Sequence, residues 1–310
     1  MESLITILGP TAVGKTELTL RLGEALNGVV ISGDAYQIYR GLNIGTAKPT
    51  AEELRRVPHR LIDIRNAEDS YSVADFQNEA SRAITAAHEI GQMPILSGGT
   101  GFYVQSLLEG FDFSVEGPDT GIRERLEHMW QTDGESAVLA YGNELAAKGN
   151  ITLRFTDKHR LFRAIELMEQ GNYEALIHQT KAGLSYEGPV MGLRRNREEL
   201  YKRINLRVNI MVDQGLFEEV EALLDSGVSP HCQAFKGIGY KEVVAYFQGQ
   251  CTKSEAISAI QQNTRRFAKR QITWYKRMPY ITWLDCDKRT SDSIYEEAMA
   301  LIQTQLMIGQ

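Results

Sequence analysis

Eight consecutive residues near the amino terminus, Gly9-Pro10-Thr11-Ala12-Val13-Gly14-Lys15-Thr16, constrain this chain more than any other part of it. Their spacing is G-x-x-x-x-G-K-[ST], a phosphate-binding loop. Such a loop works only between a strand and a helix, because its backbone N–H groups must converge on the ligand at a helix start. The flanks agree: Leu4 to Leu8 is a short apolar run, and Leu18, Leu22, Ala25 and Leu26 recur at helical spacing. Lys15 adds a point charge and Thr16 a hydroxyl for Mg²⁺. Loops of this kind serve nucleotides, ATP included, so the motif fixes a phosphate ligand without fixing the reaction.

The rest of the chain extends the same alternation. Val29 to Ser32 reads as a second strand ending at Asp34, and Leu61 to Ile64 as a third. Val73, Phe76, Ala80, Ala83 and Ala87 share one helical face before Gly91, and Met93 to Ser97 forms a strand running into Gly98-Gly99-Thr100. Strands alternating with helices predict an α/β fold, a P-loop NTPase-like parallel sheet with helices on both faces. From Phe113 to about Tyr186 strand signals vanish and helices such as Ile122 to Gln131 and Lys158 to Gln170 dominate. Pro189 to Leu193 returns to the sheet, and Arg197 to Leu224 is mostly helix, with Leu200, Ile204, Val208, Met211 and Val212 on one face. The expected division is a core of residues 1–112 and 189–310, interrupted by a helical insertion domain over 113–188.

Composition narrows the function classes. Against 34 Lys+Arg stand 40 Asp+Glu, a net charge of -6, so any nucleic-acid contact must be a local basic patch. MESLITIL resembles neither a leader nor a membrane span, and three cysteines make no disulfide framework, so cytoplasm is the expected compartment. Asp34, at a strand end beside the loop, fits a carboxylate holding Mg²⁺ through a bound water, a general base or a plain loop cap. Thr100 faces the same ligand or caps a helix. Arg160 and Arg163, one turn apart, address an anion together or form a solvated face. Thr264 to Arg277 carries six cations and no acid; Arg266, Lys269, Arg270 and Thr273 fall on one helical face, while Trp274 and Tyr275 either stack on bases or pack inward.

Taken in order, GPTAVGKT, Asp34 to Tyr39 (DAYQIY), Gly45 to Pro49 (GTAKP), Pro58 to Asp63 (PHRLID), Gly98 to Tyr103 (GGTGFY), Asp157 to Glu166 (DKHRLFRAIE), Lys236 to Glu242 (KGIGYKE) and Thr264 to Lys276 (TRRFAKRQITWYK) resemble the tRNA dimethylallyltransferase family over nearly the whole chain. The likeness is to its bacterial form; eukaryotic members carry a zinc-finger tail. Ala35 stands where the family often has Ser, and Lys158 where it often has Pro.

The resemblance implies transfer of a dimethylallyl group from dimethylallyl diphosphate to N6 of the adenosine immediately 3′ of the anticodon in tRNA, by a monomer, with Mg²⁺. Gly9 to Thr16 would hold the leaving diphosphate, helped by Arg163. Asp34 would be the general base and Thr100 would lie near the reacting amine. It further implies tRNA contacts from Asp34, Ala35, Tyr36, Gln37, Thr100, Arg123, His159, Arg160, Leu161, Phe162, Arg163, Lys236, Gly237, Ile238, Gly239, Tyr240 and Lys241, the insertion gripping the anticodon stem-loop. The rivals are a small-molecule or nucleoside kinase, an adenylate isopentenyltransferase acting on free nucleotide, and a non-catalytic nucleotide switch or RNA-binding module.

Overall fold

A computed structural model describes residues 1–113, 119–152, 157–173, 176 and 183–306. Two compact units emerge: 1–109 with 184–310, and 110–183. Within the described part of the first, six strands form one all-parallel sheet in the order β3-β2-β4-β1-β5-β6. They are β1 (Ile5–Leu8), β2 (Gly28–Ser32), β3 (His59–Arg60), β4 (Met93–Gly98), β5 (Val190–Arg194) and β6 (Thr282–Asp285). Every residue of β1 and β2 is buried, the mark of strands covered on both faces.

Alternate residues of β1 feed different cores. Ile5 and Ile7 pack with Leu18 and Leu22 of α1 (Lys15–Ala25), Leu200 and Ile204 of α8 (Arg197–Asp213), and Ile294 and Ile302 of α12 (Ser291–Leu306). Leu4 and Leu8 join the opposite cluster, with Phe76 and Ile84 of α3 (Val73–Glu89), Val104 of α4 (Gly101–Leu108), Val243 of α10 (Tyr240–Phe247), and Ile260 and Tyr275 of α11 (Lys253–Tyr275). The remaining described α-helices of this unit are α2 (Ala51–Arg56) and α9 (Leu216–Asp225), and Ala234–Lys236 forms a short 3-10 turn.

Two elements differ from the sequence reading. The strand expected over Leu61–Ile64 sits earlier, at His59–Arg60, because Leu61 (φ 61°) and Asp63 (φ 55°) take left-handed backbone that an extended strand cannot hold. The long helix expected over 197–224 is two, α8 and α9, broken where Gly215 turns at φ 97°.

The described part of the second unit contains α5 (Thr120–Thr132), α6 (Glu135–Lys148) and α7 (Lys158–Glu169), built around Leu126, Val138, Leu145, Leu161, Ile165 and Met168. Segments 114–118, 153–156, 174–175 and 177–182 of the expected insertion lie outside the described residues.

Candidate functional site

The phosphate loop begins where β1 stops, and its backbone explains its glycines. Gly9 has φ 152°, and a Cβ there would lie 2.9 Å from the Leu193 carbonyl oxygen. Gly14 (φ 114°) occupies the N-cap of α1 with no side-chain cap, so the first N–H groups of that helix are left for an anionic ligand. The Lys15 ammonium donates to the carbonyls of Gly9 (2.8 Å) and Pro10 (3.1 Å). Burial pushes this lysine down to about 8; the Arg207 guanidinium pushes the same way and Asp34 opposes both.

Arginines from later in the chain reach the loop. Arg195 Nε donates to the Val13 carbonyl (3.2 Å), Arg203 Nε to the Ala12 carbonyl (2.9 Å) and Arg207 Nη1 to Thr11 Oγ1 (3.5 Å). Helical periodicity singles out the apolar stripe of α8 and leaves Arg203 and Arg207 unmarked. A signal for them exists in the spacing: two guanidinium groups four residues apart, Arg203 directly before the stripe residue Ile204 and Arg207 directly before Val208.

The turn after β2 presents Asp34. Its Oδ1 accepts the N–H of Tyr36 (2.9 Å), so the loop-cap role and exposure to the ligand space coexist. Burial raises this carboxyl above the ordinary range, although the N–H groups of Tyr36 and Gln37 and the charges of Lys15 and Arg207 pull it back. Thr100 stands at the N-cap of α4 but makes no side-chain cap; its Oγ1 accepts the Ala35 N–H (3.0 Å) and its own N–H donates to the Gly33 carbonyl (3.2 Å). The approach is close enough that a Cβ on Gly98 would lie 2.4 Å from the Gly33 oxygen.

Lys15, Thr16, Asp34, Thr100 and Arg207 all line one cavity of about 940 Å³. Gly45, Thr46, Ala47 and Pro49 line it as well, with residues 236–241. The Glu219 carboxylate of α9 accepts the N–H groups of Asn43 (2.9 Å) and Ile44 (2.9 Å), while the Tyr240 hydroxyl donates to Glu219 (2.6 Å) and accepts the Gly45 N–H (3.1 Å). Gln37 closes the corner through the carbonyls of Thr46 and Ala47. Of the residues singled out here, Lys236 and Lys241 are exposed, Gly237, Gly239 and Tyr240 are buried, and Tyr36 packs its ring over Gly237.

On α11, Arg266, Lys269, Arg270 and Thr273 are exposed along one face, as the spacing required. Tyr275 is not available for base stacking: it is fully buried and donates its hydroxyl to the Gly99 carbonyl (2.9 Å). Trp274 is half-buried, edge-on to the exposed Phe102 at 6.0 Å.

In the second unit, Glu166 is wholly buried on α7 and receives both Arg123 Nε and Arg163 Nη1. Arg160 pairs with Asp157 (3.4 Å), and His159 and Arg160 are exposed. Leu161 and Phe162 are packed into the core of this unit, Phe162 against Trp130 at 5.9 Å.

Comparison with known proteins places this geometry. The family model described as IPP transferase matches residues 37–278. A tRNA dimethylallyltransferase of Alkaliphilus metalliredigens is 40% identical over 304 residues, covering 97% of each chain, and one of Bacillus anthracis is 42% identical over 286 residues, covering 92% of this chain and 91% of the relative. The crystal structure of the full-length tRNA isopentenylpyrophosphate transferase of Bacillus halodurans superposes with a TM-score of 0.76 at 40% identity, over 99% of this chain and 97% of that one. With two-fifths identity sustained end to end, and a family match running from the residues beside Asp34 through the basic helix, the chain belongs to the IPP transferase family of transferases.

Proposed function

We propose that this protein transfers a dimethylallyl group from dimethylallyl diphosphate to N6 of the adenosine immediately 3′ of the anticodon in tRNA, releasing diphosphate. The observation that carries the reading is the shared cavity, where a phosphate loop and the half-buried Asp34 carboxylate face one space large enough for a donor and a nucleobase. Family membership supplies the reaction class.

As the donor's carbon–oxygen bond breaks, negative charge grows on diphosphate. The N–H groups at the start of α1, the Lys15 ammonium and the Arg207 guanidinium are the groups that stabilise it. The adenine N6 lone pair is delocalised into the ring, so the amine attacks well only as its proton leaves. Asp34 accepts that proton, and its raised affinity for protons suits a base that must also release it. Thr100 orients the turn that carries Asp34 and lies beside the amine.

The residues present fit Mg²⁺ as a donor-bound ion. Among the described residues no group of three His, Cys, Asp or Glu forms a cage, whereas the exposed Thr16 hydroxyl lines the cavity at the phosphate loop. That donor suits an ion completed by substrate oxygens and water, which is how Mg²⁺ is commonly held. Bound there, it would supply further charge neutralisation on the diphosphate.

An adenine stacked in an anticodon loop must be extruded to enter such a cavity. Arg123, His159, Arg160 and Arg163 of the second unit, residues 236–241, and the exposed cations of α11 are the surfaces assigned to the RNA. No described helix is long and apolar enough to cross a membrane; the reading is of a monomer acting in the cytoplasm. The test is incubation with labelled dimethylallyl diphosphate and either tRNA or AMP. Label should appear in tRNA at one adenosine and hardly at all in AMP. Efficient prenylation of AMP would replace the tRNA reading, and phosphate transfer from ATP would replace the prenyl one.

A further inference from the structure

The two glycine-rich turns at the carboxyl ends of β1 and β4 are joined by one side chain. Gln271, buried on α11, accepts the Thr11 N–H through Oε1 (3.0 Å) and donates through Nε2 to the Gly99 carbonyl (2.7 Å). Tyr275, one helical turn on, donates to the same carbonyl (2.9 Å). The fit around the amide is tight: a Cβ on Gly99 would lie 2.6 Å from Gln271 Nε2 and 4.0 Å from Lys15 Nζ.

Each turn carries one half of the chemistry. Thr11 belongs to the loop assigned to the donor diphosphate. Gly99 immediately precedes Thr100, whose hydroxyl fixes Ala35 next to Asp34. A primary amide holds an acceptor oxygen and a donor NH2 group in one fixed plane, so Gln271 sets the spacing of the two turns from both sides at once. A carboxylate would lose the donor, and an apolar side chain would lose both bonds.

We propose that Gln271 is a positioning residue, its amide holding the donor loop in register with the turn that places the acceptor amine. The inference rests on the prenyl-transfer reading above. Its consequence concerns partitioning. With the turns in register, the allylic carbon is captured by N6. Out of register, water attacks that carbon instead: a carbon–oxygen bond forms to water, the bond to diphosphate breaks, and the products are the prenyl alcohol, diphosphate and a proton.

The experiment measures prenyl transferred to tRNA and diphosphate released, at saturating donor and tRNA, for the unaltered protein and for Gln271→Met and Gln271→Glu. The unaltered protein should release one diphosphate per prenyl group transferred. Both variants should transfer about 10- to 100-fold more slowly, with each KM within about threefold, the scale expected when bound reactants are misplaced by about an ångström. In both, diphosphate release should exceed transfer. A variant that stays folded and transfers at the original rate overturns the proposal. So does a lower melting temperature with release and transfer still equal, which would make Gln271 merely structural. No transfer by the unaltered protein would overturn the proposed function and this inference with it; normal transfer there and unaltered partitioning in the variants removes only the inference.

Discussion

The Thr100 hydroxyl accepts the N–H of Ala35 at 3.0 Å, so the turn after β4 grips the turn after β2 one residue beyond Asp34. A side chain at the start of a helix ordinarily caps that helix. Here it reaches across to a neighbouring strand end, and the position of the carboxylate becomes a property of two strands. Thr100→Val keeps the shape and removes the acceptor, leaving the Ala35 N–H unpaired at a cost of about 1–3 kcal/mol. Transfer should slow more than donor affinity falls, as single-turnover rates against donor titrations would reveal.

Asp34→Asn retains the bond to the Tyr36 N–H and abolishes the base. The loss in turnover should be about 10²- to 10⁴-fold. Unchanged single-turnover rates with both substrates bound would dismiss Asp34 from proton transfer.

The pH profile of kcat/KM for the donor should be bell-shaped. Asp34 works as its anion, and burial raises its pKa, so activity climbs as pH passes a point above the ordinary carboxylate range. Lys15 works as its cation, and burial brings it down to about 8, so activity declines as pH rises through that value. An alkaline limb confined to the ordinary lysine range would contradict the enclosure of Lys15.

Lys15→Ala should weaken donor binding by about 10- to 100-fold, the worth of a charged hydrogen bond of about 1.5–3 kcal/mol, and leave tRNA affinity nearly unchanged. Arg207→Ala should weaken the donor in the same direction. Calorimetry on each substrate separates the two effects.

Replacing Arg266 and Lys269 by Ala should flatten the salt dependence of tRNA binding by about 0.7 to 0.9 in slope for each phosphate no longer neutralised. Equal slopes would give those exposed cations a role in solubility alone.

The parts of this site legible in the sequence are those in which function and local backbone coincide. GPTAVGKT is both a turn and a ligand cradle, and Asp34 ends an apolar run, so each announces itself within a few residues. Gln271 and Glu219 do not: an amide in a basic helix and an acid in an amphipathic one look ordinary until the fold brings them to Thr11 and to Ile44. Arg207 shows only its four-residue spacing from Arg203, which does not point to the loop it reaches far back along the chain. The misplaced third strand has a different cause. Leu61 and Asp63 adopt left-handed backbone without being glycine, a choice imposed by tertiary packing that residue type does not signal.

The order of strands also bears on how the chain is made. β1 lies between β4 and β5, and Thr6 pairs with Val190. During synthesis β1, β2, β3 and β4 are complete long before β5 leaves the ribosome, and throughout that interval the outer edge of β1 offers unpaired N–H and C=O groups flanked by fully buried apolar residues. The nascent half-sheet therefore carries an open edge that only the arrival of β5 closes. Slowing translation within the codons for 110–183 should lower the soluble yield without altering the stability of the finished protein.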